Sequence, residues 1–198
     1  MDLNNIISNL EFKNITNVNY EDVLELLKIR NKENVRNKMF NKKYITRFDH
    51  NSWLKKIKKT SKEDFYIIYY KHIVCGGLGI KNYDNKLKEC DWAFYISDNF
   101  NFPGLGASIE FKSINFLLKK YKLSRLYCYV LKNNPNVIKL HKKFFFLKVP
   151  ILIKKLNDYN INISKNNIIK FCLDLKRWKS ESKKLVKKLK IHEKKSQY

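Results

Sequence analysis

At 198 residues and 44% hydrophobic, the chain is long enough to bury about 70% of its unfolded surface in one core, so no disulfide or metal framework is needed to hold it. Its formal net charge of +24 favours anionic partners, yet only five of its 42 basic residues are arginine, which weighs against bidentate reading of nucleic-acid bases. Lysine alongside abundant Asn, Ile, Tyr and Phe also fits the coding bias of an AT-rich genome, and a phosphate-bearing small ligand would gain from the field in either case.

The first predicted element is a strand over residues 10–15. Asn19, with Glu21 and Asp22 behind it, then caps a helix carrying Val23, Leu24, Leu26, Leu27 and Ile29, which ends near Arg30 and Asn31. Residues 33–41 form a polar stretch whose Met39-Phe40 pair fits poorly on one face of any element; the pair is either core or ligand-facing. Phe48, Trp53, Leu54 and Ile57 mark a second helix over 47–59. After a loop at 61–64, residues 65–70 and 73–80 read as a hairpin about Lys71-His72. Gly76, Gly77 and Gly79 in its second arm point to a bulge or the close approach of another backbone. A polar turn at 83–88 leads to an aromatic, buried strand over 90–97 and a helix over 104–120. A strand over 125–131, a short helix over 134–143 and two closing strands over 146–156 and 168–175 follow.

This order predicts an α/β domain over residues 1–178, with a mixed, mostly antiparallel central sheet flanked by helices. Residues 179–198 read as a basic helical tail, amphipathic over 183–191. That tail is either a membrane-surface or RNA-touching helix or a solvated one docking by Leu185, Val186 and Leu189. Cys75, Cys90, Cys128 and Cys172 lack Cys-x-x-Cys spacing, and His50, His72, His141 and His192 complete no ligand cluster. Free buried thiols and no metal are therefore expected. No basic-then-apolar leader opens the chain and no run approaches 18 apolar residues, which points to a cytoplasmic protein without a transmembrane segment.

The chain is organised around Asn101-Phe102-Pro103-Gly104-Leu105-Gly106-Ala107. A glycine turn between a strand and a helix start leaves several N–H groups unpaired and pointing one way, which is a candidate anion site. It is neither of the common phosphate motifs: a dinucleotide fingerprint would need glycine at Ile109, and a P-loop would need Lys-Ser/Thr where Ala107-Ser108 stand. By itself a Gly-x-Gly turn is equally a tight connection with no ligand.

Two blocks together resemble the GNAT superfamily of N-acetyltransferases. Asn101-x-x-Gly104-x-Gly106 is similar to the family's acetyl-CoA loop, with asparagine in its first place. Val130-x-x-x-Asn134-x-x-Val137-x-x-Leu140-His141-x-Lys143-x-Phe145-Phe146 is similar to its second block, at the family's order and separation, and the resemblance spans about residues 10–175. It implies a GNAT fold, acetyl-CoA as cosubstrate, and cofactor contacts from Phe94, Tyr95, Ile96, Asn101, Phe102, Gly104, Leu105, Gly106, Ala107, Asn134 and Lys143. The segment from Ile29 to Asn41, with Arg30-Asn31, Val35-Arg36 and Met39-Phe40-Asn41, looks like that of the enzymes acetylating the 4-amino group of a UDP-amino-sugar in pseudaminic acid biosynthesis, which serves flagellin glycosylation. That likeness extends to His50, Trp53 and Leu54 and implies a small nucleotide-sugar acceptor; no nucleic acid is required, and a homodimer is compatible with this reading.

An attacking amine must first lose its proton, which calls for a carboxylate acting directly or through one water. Asp91 stands where relatives carry glutamate and is the candidate base; it is equally readable as an ordinary strand-end aspartate. The leaving thiolate needs a donor, and His141 occupies the place of the family's tyrosine. Imidazolium can donate a proton, although the same histidine could sit at the surface. Arg30 and Asn31 suit the acceptor's diphosphate or uracil, Met39, Phe40 and Trp53 a face for its base, and Tyr129 stands where those relatives often carry an acid; helix packing would explain each as well. Phe145 replaces the second block's glycine, removing a position free to take positive φ and so reshaping the turn. No cysteine or serine shows an activating partner, so direct transfer in a ternary complex is expected. The rival readings are a protein N-terminal acetyltransferase of ribosomal-protein type, and a non-catalytic RNA- or membrane-binding protein on the same scaffold.

Overall fold

The computed structural model describes residues 3–151 and 167–188. In chain order the elements are α1 (Leu3–Ser8), β1 (Leu10–Asn14), α2 (Tyr20–Asn31), α3 (Glu33–Arg36), α4 (Arg47–Ile57), β2 (Asp64–Tyr70), β3 (Ile73–Asp84), β4 (Glu89–Ile96), α5 (Leu105–Tyr121), β5 (Arg125–Leu131), α6 (Pro135–Lys143), β6 (Leu147–Val149), β7 (Ile168–Asp174) and α7 (Leu175–Lys188). The strands form one seven-stranded sheet in the order β1-β2-β3-β4-β5-β7-β6, antiparallel throughout except for the parallel pair β4 and β5. Among the described residues no helix is long and apolar enough to cross a membrane.

Alternation along β2 shows how the sheet is covered. Tyr66, Ile68 and Tyr70 face a main core shared with α1, α5 and α7, whereas Ile67 and Tyr69 face a second core with Val23, Leu26 and Ile29 of α2 and Ile57 of α4. The two-sided cover makes β2 a nearly unbroken apolar run. α2 opens where predicted because the Asn19 side chain accepts from the Asp22 N–H, and α4 because Thr46 and Asp49 form a reciprocal capping box.

The glycines of β3 serve the close approach. Residues 68 and 69 pair with Gly76 and Val74, so Cys75 is an extra residue bulged between them, and a Cβ on Gly76 would lie 2.1 Å from the Tyr95 carbonyl oxygen. β3 also runs four residues past its predicted end, held by Lys81↔Asp91 and Asp84↔Glu89.

Several boundaries differ from the sequence reading. β1 stops at Asn14, whose side chain accepts from the Thr16 N–H and opens a 3-10 turn. α1 is unpredicted because six residues are too short for a periodic pattern; the Lys112 ammonium holds it by donating to the Ile7 carbonyl (2.9 Å) and the Leu10 carbonyl. The polar stretch at 33–41 begins as α3. The first closing strand is β6 alone, and residues 152–156 of the predicted strand lie outside the described residues. The turn after α6 is not reshaped: Phe145 itself adopts φ 67°, with its ring against Trp178 and under the Arg177 guanidinium.

α7 runs unbroken across position 178, so the domain boundary expected there falls inside a helix. Trp178 and Leu185 are buried in the main core with Val186 against it, as the docking reading of the tail required, while Leu189 and Ile191 lie outside the described residues.

Candidate active site at the parting of two strands

β4 and β5 share only three ladder pairs, Glu89↔Arg125, Cys90↔Leu126 and Asp91↔Tyr127. Beyond them β4 follows β3 to Ile96 and β5 follows β7 to Leu131, so the two strands part in a V. Along residues 92–96 the edge of β4 facing β5 has no ladder partner among the described residues, which leaves backbone N–H and C=O groups open to an extended ligand. Phe94, Tyr95 and Ile96 line this edge and are half-buried.

At the open end of the V the chain enters a 3-10 turn (Asp98–Phe100) whose Asn99 N–H is capped by Ser97, and then reaches Gly104. Gly104 sits at φ 92° with no side-chain cap on α5, and a Cβ there would lie 2.8 Å from a Leu3 methyl. Leu105 N–H turns back to the Phe102 carbonyl at 3.4 Å, while the first-turn N–H groups of Gly106 and Ala107 have no intrahelical acceptor. A Cβ on Gly106 would meet nothing nearer than Leu140 at 3.8 Å, so the space before these donors is open. Bare N–H groups at a 17-residue helix N-terminus fit a pyrophosphate. Asn101 is exposed beside them and Phe102 packs on Tyr70 at 5.2 Å. Asn134 opens α6 at the mouth of the V without capping it by side chain, and Lys143 lies exposed at the opposite end of that helix.

His141 is not at the surface. Its ring is 4% exposed and packs against Trp92 of β4, Phe146 and Phe171 of β7, with Nδ1 2.8 Å from Oε1 of Glu110, a fully buried residue on α5. The Cys128 sulfur of β5 also acts on it electrostatically. Trp92 and Cys128 are the first residues past the last β4–β5 pair, so the imidazole lies over the point where the strands part. Burial alone would lower its pKa, but the Cys128 sulfur and the Glu110 carboxylate beside it prevail and hold it raised, to about 10. Burial pushes the Glu110 carboxyl up against the pull of His141, and pushes the Cys128 thiol up as well. The pair therefore keeps a proton at neutral pH. Glu110 is the residue that sequence reading missed; its signal was a carboxylate in line with Ile114 and Leu117, four and seven positions on, along the buried stripe of α5.

Asp91 occupies the other face. Cys90 and Trp92 belong to the main core, so Asp91 between them turns to the α2 and α4 side, 5% exposed, where Oδ2 accepts from the Asn82 amide at 2.8 Å. Tyr127 and Tyr129 of β5 share that side, with the Lys170 ammonium 4.3 Å and 5.5 Å from their ring centres. Arg30 reaches the same face near Tyr95; one guanidinium nitrogen donates to the Asn41 carbonyl, Nη1 is buried with no partner among the described residues, and burial lowers its pKa.

Asn31 does not face a ligand. Its amide donates to the Ile45 carbonyl and accepts from the Ile45 N–H, and Arg36 donates to the Lys42 carbonyl, so these side chains pin the 37–46 loop. Trp53 is packing as well, wedged between His50 (5.0 Å) and Phe65 (5.1 Å). Phe40 reaches across to pack with Tyr129, Leu131 and Ile168, and Met39 is half-buried in the same loop.

Residues 15–166 match the family model described as an acetyltransferase (GNAT) domain. Over 137 residues the chain is 25% identical to acetyltransferase PseH of Campylobacter jejuni, covering 69% of this chain and 84% of that protein. The crystal structure of that organism's N-acetyltransferase PseH with acetyl coenzyme A superposes with a TM-score of 0.63 at 20% identity, over 83% of this chain and 98% of the other. Spermidine N-acetyltransferase from Vibrio cholerae, with CoA and spermine, superposes with a TM-score of 0.73 at 12% identity, over 86% and 98%.

Proposed function

The chain belongs to the GNAT acetyltransferases, and from that premise we propose that it moves the acetyl group of acetyl-CoA onto an amino group of a nucleotide-linked amino sugar. The observation that carries this reading is the parting of β4 from β5 with a carboxylate on one face, Asp91 towards α2, and an imidazole on the other, His141 towards α5.

The N–H groups of Gly106 and Ala107 hold the pyrophosphate, and the open edge of residues 92–96 carries the pantetheine towards the closed end of the V. Asp91 takes the proton of the incoming amine, directly or through one water, and His141 supplies the proton that the departing sulfur needs. Transfer is direct. Cys128 does have a histidine partner, contrary to the sequence reading, but its thiol is held protonated by burial and its neighbour already carries a proton, so it is a poor nucleophile.

Three observations favour a nucleotide-linked acceptor. The chain is 25% identical to PseH over 137 residues, Arg30 keeps one guanidinium nitrogen without a partner among the described residues on the Asp91 face, and a net charge of +24 attracts a diphosphate while repelling a polyamine. The likeness to the spermidine enzyme is 12% in sequence and speaks for the fold.

The test is thiol release from acetyl-CoA with UDP-linked amino sugars, spermidine and an N-terminal peptide in parallel. Turnover is expected with an amino sugar alone, and Asp91→Asn and His141→Phe should each lower kcat by roughly 10²-fold or more. Faster release with spermidine or the peptide contradicts the acceptor; acetyl-CoA binding with no release on any amine contradicts the assignment of the two residues.

A further inference from the structure

We propose that Glu110 is a positioning residue for the transfer: from the buried stripe of α5 it fixes the ring of His141 through Nδ1 and keeps that ring protonated, so that histidine does here what a phenol would do elsewhere. This rests on the reading of His141 as the sulfur's proton donor.

The geometry carries it. Oε1 of Glu110 is 2.8 Å from Nδ1 of His141, both residues are buried, and the imidazole packs among Trp92, Phe146 and Phe171. A carboxylate at a position flanked by Ile109, Phe111 and Ile114 is costly for the core and is sustained only by a charged or hydrogen-bonded neighbour. His141 is the partner that the structure provides, and Oε2 of Glu110 has none among the described residues.

Among the described residues the titratable groups facing the imidazole are Glu110 from α5 and Cys128 from β5, with Asp91 of β4 acting on Cys128 from the far side of the sheet; the groups from β7 and from the turn after α6 are the apolar rings of Phe171 and Phe146. Burial pushes Glu110 and Cys128 both up and His141 pulls both down; Glu110 is the one that starts as a carboxylate, ionised far below the range of a thiol.

The step balances. A C–N bond forms as the C–S bond breaks, the amine gives one proton to Asp91, the sulfur takes one proton from His141, and both side chains return to their starting states by exchange with water. With its pKa held to about 10, His141 enters every turnover protonated. Its pKa then lies where an unperturbed phenol's does.

Glu110→Gln keeps the shape and removes the charge. The His141 ring proton resonance, identified by its loss in His141→Phe, should titrate at a clearly lower pH in Glu110→Gln than in the wild-type protein. The alkaline limb of kcat should move down with it, and kcat at pH 8 should fall by roughly 10- to 100-fold while the KM for acetyl-CoA stays within about twofold. In a His141→Tyr background the same Glu110→Gln change should cost less than about threefold, because a phenol needs no carboxylate to stay protonated.

An unmoved His141 titration in Glu110→Gln overturns the proposal, as does an equal loss of kcat in both backgrounds, which would make Glu110 merely structural. If the wild-type protein turns over no amine, the functional reading fails by itself, and the His141 titration still decides whether Glu110 controls the imidazole.

Discussion

Two histidines in this chain are buried to opposite ends. His141 is raised to about 10 by the sulfur and carboxylate against it, whereas His50 on α4 is lowered to about 4 by burial, its Nδ1 without a partner among the described residues. The signs set two stability flanks. For His141 the folded pKa lies above the unfolded one, so its contribution is fully present below about pH 6.5 and is lost as pH rises towards 10. For His50 the folded pKa lies below, so its contribution is present above about pH 6.5 and is lost as pH falls towards 4. Thermal unfolding across pH should therefore show an acid flank between pH 6.5 and 4 that His50→Phe flattens. An acid flank unchanged in that variant would place the sensitivity elsewhere. Gly104 gives a second prediction of this kind. Alanine there must hold φ 92° and press a Leu3 methyl at 2.8 Å, so Gly104→Ala should cost about 1–2 kcal/mol of stability and weaken acetyl-CoA binding. Calorimetric titration with CoA alongside a melting curve reads both, and unchanged affinity would remove residues 104–107 from the cofactor site.

Among the elements, the sheet was largely legible from the chain because its strands are apolar runs bounded by polar turns, and all seven appear in the predicted order. The glycine turn was legible for a different reason: a left-handed residue must be glycine or strained, and Gly104 is the former. Its counterpart at Phe145 is the latter, and sequence alone gives no sign that a bulky ring holds φ 67° there, since the support comes from Trp178 and Arg177, more than 30 positions on. The parting of β4 and β5 was likewise hidden, because it depends on how long each strand stays with its antiparallel neighbour. For Asn31 the same limit applies. An arginine-asparagine pair at a helix end reads as a ligand site, and only the 37–46 loop folding back to Ile45 shows that the amide is spent on backbone. Glu110 is the instructive miss, since a lone carboxylate on a buried stripe was visible, but its partner His141 lies 31 residues later.

For the molecule as a whole, the field of a +24 chain and the rigidity of its core work on the same substrates. The helix that runs on into the basic tail closes that core: the Trp178 ring stacks on Phe144 at 5.9 Å, its indole N–H donates to Asn115 at 3.0 Å, and α5, α6 and α7 meet there. Trp178→Ala should therefore cost about 3–5 kcal/mol, read by denaturant unfolding, and a loss below about 1 kcal/mol would show that α7 is not part of the folding unit. The central claim, direct transfer to an amine on a nucleotide-linked sugar, is tested most directly by following carbonyl-labelled ¹³C-acetyl-CoA with a UDP-linked 4-amino sugar by NMR. The account predicts a new amide carbonyl coupled to the proton on the amino-bearing sugar carbon, formed by the native chain and strongly slowed in Asp91→Asn and His141→Phe. Label that leaves as acetate, settles on a sugar oxygen or accumulates on the protein would contradict it.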